Sequence, residues 1–379
     1  MEGTEKPQEE TTTALTLNAT TRRPMPENRG AGSGAAPEET GGKVELSFED
    51  NRLAGITFGE HDRNLALIEN RLGVDIIARG NRLTVAGTEH ARQAAVRVLE
   101  ELYQRAAAGL EITSGDVDGA IRMATALPAP AGGTVEIRTR RKVVRPRSPG
   151  QRAYLEALET NELVFGIGPA GTGKTYLAVA HAVQALLAGR VDRIILSRPA
   201  VEAGEQLGFL PGDMKEKVDP YLRPLYDALD DLVGREKAAR MMADGTIEIA
   251  PLAFMRGRTL ANAVVILDEA QNTTSQQMKM FLTRLGEGAR MVINGDLSQI
   301  DLPAGTPSGL KEAVRILEGV KGVAIVRFDD ADIVRHPLVA RIVAAYDADR
   351  AARQAAEAES VAEAGADAGQ QAGEEEAQP

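Results

Sequence analysis

One segment of eight residues constrains the fold of this chain more than any other. It matches the pattern G-x-x-x-x-G-K-[ST] in full and reads Gly168-Pro169-Ala170-Gly171-Thr172-Gly173-Lys174-Thr175. An apolar run, residues 163–167, precedes the segment, and residues 176–188, which contain neither Gly nor Pro, follow it. A phosphate-binding loop requires this context, a buried strand that leads in and a helix that leads out. The pattern therefore predicts a strand, a phosphate loop and a helix in succession.

The residues of this loop suit the phosphates of ATP. Glycines allow backbone N–H groups to close around the β- and γ-phosphates at the positive end of a helix. Lys174 adds a cation that can act in catalysis, and Thr175 offers a hydroxyl to Mg²⁺. We therefore expect residues 168–175 to bind ATP together with Mg²⁺. The alternative is a glycine-rich turn with an incidental Lys-Thr pair.

Two adjacent carboxylates follow a second apolar run. Residues 263–267 have the continuous apolar character of a central parallel strand, and Asp268 and Glu269 come next. We expect Asp268 to bind Mg²⁺ and Glu269 to orient and deprotonate the attacking water. An isolated Asp-Glu pair after an apolar run is more often a solvated strand end. The phosphate loop upstream makes the catalytic interpretation the better one here.

A third apolar run ends in another polar cluster. Residues 291–294 predict a strand, and Gly-Asp-Leu-Ser-Gln follows at 295–299. Open α/β folds bind ligands at the carboxyl ends of their strands, so we expect the three clusters to meet in one crevice. Gln299 is then a candidate sensor of the γ-phosphate. The alternative is a turn built from Gly, Asp and Ser.

Composition excludes several classes of protein. Cysteine is absent, which excludes disulfides and thiolate-bound metals. No apolar run is long enough to span a bilayer, and the chain begins with no signal peptide, so we expect a cytoplasmic protein with no membrane partner. The net charge of −11 argues against extensive coating by nucleic acid but is compatible with a local basic site.

The chain divides into five segments by composition. Residues 1–42 have almost no large apolar side chains, and 349–379 are an acidic Ala/Glu tail, so both ends are expected to be disordered. Residues 43–126 predict a small α+β domain. Residues 127–149 form a linker that is first rich in Pro and Gly and then basic. Residues 150–348 contain the three polar clusters and predict an α/β core.

The order of elements predicted for the small domain resembles a KH RNA-binding module. In such modules a GXXG loop clamps nucleic-acid phosphates. The corresponding residues here read Gly-Glu-His-Asp at 59–62, which lack the second glycine and carry two acids. Two interpretations stay open for this KH-like domain, an RNA reader and a degenerate module that contacts other proteins.

The linker carries the strongest local run of positive charge. Its cationic residues are Arg138, Arg140, Arg141, Lys142, Arg145 and Arg147. Such a run suits an RNA backbone. No aromatic residue is interleaved for base stacking, so an exposed linker strand is an equally good interpretation.

Residues 151–346 resemble the PhoH-like ATPases, bacterial proteins with one RecA-like core similar to the first core of superfamily 1 helicases. Besides the phosphate loop, the resemblance rests on SRPAVEAGE at 197–205, GFLPGD at 208–213, FMRGRTL at 254–260, DEAQN at 268–272, GDLSQ at 295–299 and VRH at 334–336. It implies ATP hydrolysis in rRNA processing or ribosome maturation beside a partner endoribonuclease. A nucleotide-switched scaffold for that nuclease without unwinding activity, and a small-molecule kinase, are the alternatives.

The resemblance also suggests roles for other polar residues. Gln151 lies where helicase-like proteins place an adenine-reading glutamine, and an exposed surface glutamine is the alternative. Arg256 and Arg258 form a loop that meets either RNA phosphate or solvent. A superfamily 1 helicase closes its ATP site with a second core, which this chain lacks. We therefore expect a homo-oligomer, with a hexameric ring as one arrangement, and an arginine finger, Arg284 or else Arg335, donated by a neighbouring subunit.

Overall fold

The computed structural model divides the chain into two compact units, residues 1–333 and 334–379. Every element discussed below belongs to the first unit. The residues described are 16–18, 42–126, 135–139, 141–199, 214–303, 305–334, 339, 342, 345 and 349, with backbone alone for 16–18 and 214–221. Arg140, Arg335, residues 200–213 and the tail beyond 349 lie outside the described residues.

The elements alternate between strands and helices along most of the chain. The described strands are β1 (Thr16–Asn18), β2 (Gly42–Ser47), β3 (Asp75–Arg79), β4 (Arg82–Gly87), β5 (Ile137–Arg138), β6 (Val143–Val144), β7 (Leu163–Ile167), β8 (Arg193–Arg198), β9 (Ile247–Pro251), β10 (Ala263–Leu267), β11 (Arg290–Gly295) and β12 (Val323–Arg327). The described α-helices are α1 (Asn51–Phe58), α2 (Arg63–Leu72), α3 (Glu89–Ala107), α4 (Ser114–Thr125), α5 (Pro149–Thr160), α6 (Lys174–Leu187), α7 (Met214–Val233), α8 (Arg235–Ala243), α9 (Ser275–Leu282) and α10 (Gly309–Leu317).

The small domain packs helices on an antiparallel sheet of order β1-β2-β4-β3. The chain runs β2-α1-α2-β3-β4-α3-α4. Thr88 caps α3 by accepting a hydrogen bond from the backbone N–H of Ala91. One face of α3, which includes Val98 and Leu102, is buried in the core of this domain. Residues 59–62 lie between α1 and α2, where the KH resemblance places its loop.

The N-terminal segment differs from the disorder expected throughout residues 1–42. Thr16–Asn18 forms strand β1, which pairs antiparallel with β2, with Leu17 opposite Leu46. Without β1, strand β2 would be an edge strand with unpaired backbone groups, and β1 satisfies them by pairing along it. Residues 1–15 and 19–41 lie outside the described residues.

The core is a parallel sheet of order β12-β7-β11-β10-β8-β9 among the described strands. Helices cover both of its faces, so alternate residues of one strand enter different cores. Val264 and Ile266 of β10 pack with α5, α6 and α7, whereas Val265 and Leu267 pack with α9 and α10. Burial on both faces explains why these strands read as continuous apolar runs. None of the described helices combines the length and apolar character needed to cross a membrane.

The strand order brings the three polar clusters to one edge. The phosphate loop follows β7, residues 295–299 follow β11, and the Asp-Glu pair follows β10, and these three strands are adjacent in the sheet. All of them are parallel, so their carboxyl ends point the same way. The three clusters therefore lie at one edge of the sheet, as the sequence predicts.

A close contact beneath the phosphate loop requires a glycine in β7. The Tyr154 hydroxyl donates a buried hydrogen bond of 2.6 Å to Asn294 Oδ1, and the Tyr154 ring stacks edge-on against Phe328. A Cβ on Gly166 would lie 2.7 Å from Asn294 Oδ1 and 2.8 Å from the Tyr154 ring. The backbone of β7 thus passes directly under this polar pair.

Gly166→Ala is expected to destabilise the protein by about 1–3 kcal/mol, because the added methyl overpacks a rigid site. The matched control is Gly55→Ala in α1, where a Cβ meets nothing within 4 Å and where Ala favours the helix by about 0.5–1 kcal/mol. Urea unfolding should show a lower midpoint for the first variant and an equal or higher one for the second. Equal stability of Gly166→Ala and the wild type would contradict the packing described.

Candidate functional site

The phosphate loop has the backbone conformation that its glycines make possible. Gly171 and Gly173 adopt φ values of 87° and 81°, in the left-handed region that other residues rarely enter. A Cβ on Gly168 would lie 2.6 Å from the carbonyl oxygen of Phe328, so only glycine fits there. Gly173 is the N-cap of α6, which places the loop at the positive end of that helix.

Lys174 is the first residue of α6 and bends back over the loop. Its Nζ lies 2.6 Å from the Gly168 carbonyl oxygen, 2.8 Å from the Pro169 carbonyl oxygen and 3.2 Å from Thr172 Oγ1. The ammonium group is therefore at the mouth of the loop, within reach of a phosphate that enters it. Phosphate binding by Lys174 stays a prediction.

Thr175 and Asp268 meet as the sequence predicts. Thr175 Oγ1 donates a hydrogen bond of 2.6 Å to Asp268 Oδ1, which joins the helix after β7 to the end of β10. A hydroxyl and a carboxylate are hard oxygen ligands that fit Mg²⁺. Burial raises the pKa of Asp268, and the nearby Arg198 guanidinium and the Thr175 hydrogen bond oppose that rise.

Glu269 lies beside this pair in a strained conformation. Its φ of 53° is in the left-handed region, which costs a residue with a Cβ about 1–3 kcal/mol. Its carboxylate accepts hydrogen bonds of 2.8 Å from Arg198 and 2.7 Å from the side chain of Gln271. Gln271 in turn accepts from the backbone N–H of Asp296 at 3.0 Å. The carboxylate expected to be the base is therefore fixed by two neighbouring strand ends.

Arg198 is a site residue that the sequence did not single out. It ends β8, next to β10 in the sheet, and its Nη2 lies 3.2 Å from Asp268 Oδ2 and 2.8 Å from Glu269 Oε1. One guanidinium thus bridges both candidate catalytic carboxylates. The strand-end argument applied to the other three strands would also have identified it, because residue 198 lies two positions after the apolar run 194–196.

Gln299 forms part of a turn organised by Asp296. Its Nε2 donates to Asp296 Oδ2 at 2.9 Å, while the N–H and hydroxyl of Ser298 donate to Asp296 Oδ1. The side chain is exposed at the same edge as the phosphate loop. This geometry fits the interpretation of residues 295–299 as a turn. The role of Gln299 as a sensor of the γ-phosphate stays a prediction.

Gln151 is buried, so its interpretation as an exposed surface residue is wrong. Its Oε1 accepts a hydrogen bond of 2.8 Å from the backbone N–H of Arg147, and its Nε2 donates one of 3.0 Å to the Thr172 carbonyl oxygen. The side chain therefore contacts the phosphate loop itself. Adenine recognition by Gln151 stays a prediction.

Acidic groups of the same chain pair with most of the basic linker. Lys142 Nζ lies 2.5 Å from Asp231, and Arg141 donates to the carbonyl oxygen of Asp230 in α7. The remaining described pairs are Arg138 with Glu136, Arg145 with Glu136, and Arg147 with Asp116. Arg141 and Lys142 thus attach the linker to α7 and Arg147 attaches it to α4, whereas Arg138 and Arg145 pair within the linker itself. RNA binding by the linker stays a prediction.

The other arginines expected to act in binding or catalysis differ in how they are engaged. Arg258 forms a paired contact with Glu248, at 2.6 and 2.7 Å. Arg284 donates to the carbonyl oxygens of Met280 and Arg258 and to the Thr283 hydroxyl. Arg256 is exposed, and within the described chain its side chain forms no hydrogen bond or ion pair. Arg335 lies outside the described residues.

The fold and this geometry define a class of protein. A glycine loop between β7 and α6, with Lys174 and Thr175 at its end and Asp268 on a nearby parallel strand, is the architecture of a P-loop NTPase. The expected α/β P-loop core is confirmed.

Comparison with known sequences identifies the family. Residues 143–347 match the family model described as PhoH-like protein, and the chain belongs to that family. A PhoH-like protein of Bacillus subtilis (strain 168) is 55% identical over 295 residues, which cover 76% of this chain and 92% of that protein. A PhoH-like protein of Mycobacterium tuberculosis (strain H37Rv) is 49% identical over 318 residues, 83% of this chain and 90% of that protein.

Similar solved structures are more distant. The Sulfolobus solfataricus SWI2/SNF2 ATPase core in complex with dsDNA has a TM-score of 0.30 at 13% identity and covers 48% of this chain and 43% of that one. The Pif1 helicase from Candida albicans has a TM-score of 0.26 at 15% identity. The match covers 48% of this chain and 39% of that one.

Asp268→Asn is expected to stabilise the protein without nucleotide and to abolish its response to MgATP. Burial raises the pKa of Asp268, so its charged form is less favourable in the folded protein than in the unfolded chain. That unfavourable contribution is present above the raised pKa and is lost as the pH falls through it. An uncharged Asn removes it, so the urea midpoint at pH 7 should rise.

The difference between variant and wild type should shrink in acid, where Asp268 is protonated. Saturating MgATP should raise the midpoint of the wild type and leave that of Asp268→Asn unchanged. A lower midpoint for the variant at pH 7 would show that Arg198 and Thr175 stabilise the carboxylate more than burial destabilises it.

Proposed function

We propose that this protein binds MgATP and hydrolyses it. The observation that carries the proposal is the 2.6 Å contact of Thr175 with Asp268 beside the Lys174 ammonium, at the end of a glycine loop. Lys174 and the loop N–H groups would bind the phosphates, and Thr175 and Asp268 would hold Mg²⁺. The metal ion supplies positive charge that neutralises the phosphate oxygens as the γ-phosphoryl group transfers.

Glu269 is the group placed to act on water. It follows Asp268 directly, and its side chain is 43% exposed at the carboxyl edge of the sheet, so water reaches it. Arg198 and Gln271 fix one carboxylate oxygen each. In the proposed reaction Glu269 accepts a proton from the attacking water, and the two neighbours maintain the orientation of the carboxylate.

Glu269→Gln is the sharpest test, because an amide preserves size and removes the base. We expect MgATP affinity close to that of the wild type and a turnover number lower by about 10²–10⁴-fold. Glu287→Gln, an exposed glutamate before the amino end of β11, is the matched control and should turn over normally. A Glu269→Gln protein that hydrolyses ATP at the wild-type rate would remove Glu269 from the mechanism.

We further propose that hydrolysis is linked to RNA, in rRNA processing or ribosome maturation. Family resemblance supports this role, and so does an exposed loop after β9. Phe254 in that loop is 53% exposed and Arg256 is exposed two residues later, at the carboxyl edge of the sheet. An aromatic ring and a cation together suit a base and its phosphate. The engaged linker and Arg258 are weaker candidates for RNA contacts.

Arg256→Ala should weaken binding of a single-stranded oligouridylate and lower the slope of log affinity against log salt by about one unit. Phe254→Ala should weaken binding with an unchanged slope, because stacking involves no counterion release. Arg315→Ala, an exposed arginine on α10, is the control. Wild-type affinity and slope in both loop variants would favour the second candidate, a nucleotide-switched scaffold for a partner endoribonuclease.

We propose that the functional form is a homo-oligomer in which an arginine of a neighbouring subunit completes the ATP site. Mixing two inactive variants tests this. Lys174→Ala cannot bind ATP but can donate an arginine, whereas Arg284→Ala can bind ATP but cannot assist a neighbour. Each alone should be nearly inactive, and the mixture should recover part of the ATPase activity.

The contacts of Arg284 within its own chain make a second outcome informative. If mixed oligomers, shown by native mass measurement, recover no activity, Arg284 is a structural residue that braces residue 258. The same mixture should then be made with Arg335→Ala. If neither mixture recovers ATPase activity, neither Arg284 nor Arg335 is an arginine finger donated to a neighbouring subunit.

A further inference from the structure

The segment just before α5 lies between helix α4 of the small domain and the phosphate loop. A Cβ on Gly119 of α4 would lie 3.1–3.2 Å from the Cα, Cβ and Cγ atoms of Arg147. The backbones approach this closely because position 119 has no side chain. Arg122, one turn further along α4, donates a hydrogen bond of 3.0 Å to the Arg147 carbonyl oxygen. Arg147 is therefore packed against the small domain.

The side chain of Arg147 ends on a buried acid of the same helix. Its Nη2 lies 2.9 Å from Asp116 Oδ1. Asp116 is buried, accepts hydrogen bonds from Thr113 and also lies 3.3 Å from Arg105. Burial acts to raise the pKa of Asp116, but the Thr113 hydrogen bonds and the two arginines outweigh it and lower the pKa. The carboxylate is thus a fixed anchor for Arg147.

The main chain of Arg147 faces the nucleotide site. Its N–H donates 2.8 Å to Gln151 Oε1, and Gln151 Nε2 donates 3.0 Å to the Thr172 carbonyl oxygen. Gln151 and Thr172 are both buried. A continuous series of hydrogen bonds thus runs from Asp116 in the small domain through Arg147 and Gln151 to the phosphate loop.

We propose that Arg147 is a positioning residue through which the small domain sets the affinity of the phosphate loop for nucleotide. Arg147 orients Gln151, and Gln151 orients the loop at Thr172. A ligand that shifts the small domain alters nucleotide affinity, and nucleotide alters the affinity for that ligand by the same factor. This inference rests on the proposed nucleotide binding.

The test is a double-mutant cycle on the full chain, with MgADP affinity measured by calorimetry. Arg147→Met keeps the aliphatic stem against Gly119 and the main-chain bonds, and removes only the contact with Asp116. It should weaken MgADP binding by at least about 5-fold, the lower end of typical coupling between sites. In a Gln151→Ala background the same change should have no further effect, because the link is already broken.

Arg71→Met is the matched control. Arg71 pairs with Asp118 of the same helix α4, at 3.6 Å, and has no part in the series. It should bind MgADP like the wild type in both backgrounds. Wild-type MgADP affinity in Arg147→Met would overturn the proposal. An equal loss of MgADP affinity in the wild-type and Gln151→Ala backgrounds would also overturn it, because general destabilisation of the fold produces that result. Absence of MgADP binding by the wild type would instead refute the proposed nucleotide site.

Discussion

Burial of the parallel sheet on both faces is the constraint on which the rest of the described structure depends. Helices cover each face, so the middle residues of the central strands are apolar. Polar chemistry is confined to the strand ends. Because β7, β11 and β10 are neighbours and parallel, their carboxyl ends bring Thr175 to Asp268 although 93 positions separate them in sequence. The site is a consequence of strand order.

The charged groups at this edge of the sheet lower the stability of the folded protein. Burial raises the pKa of Asp268, and Glu269 adopts a left-handed φ of 53°. Arg198 offsets part of both costs, because one guanidinium contacts both carboxylates. Strain and unfavourable burial at one edge of an otherwise well-packed sheet are what a functional site produces.

Features that depend on local pattern could be predicted from the sequence, and features that depend on distant partners could not. The strands around the phosphate loop follow from apolar runs a few residues long. The basic linker was interpreted by its own charges, whereas Lys142 pairs with Asp231, 89 positions away in α7. The environment of Gln151 was missed for the same reason, since Thr172 covers it only once the core has folded.

The ion pairs formed by the linker limit the binding of RNA by its arginines. In a chain with a net charge of −11, a cation next to a carboxylate is already neutralised, so a linker arginine that binds RNA must first leave its acid. Arg147 shows the alternative use of such a residue. Its guanidinium, N–H and carbonyl bond to three different side chains, Asp116, Gln151 and Arg122. A movement of the phosphate loop that displaces Gln151 therefore has to be accommodated at α4, and a movement of α4 has to be accommodated at the loop. In this chain Arg147 thus joins the small domain to the phosphate loop.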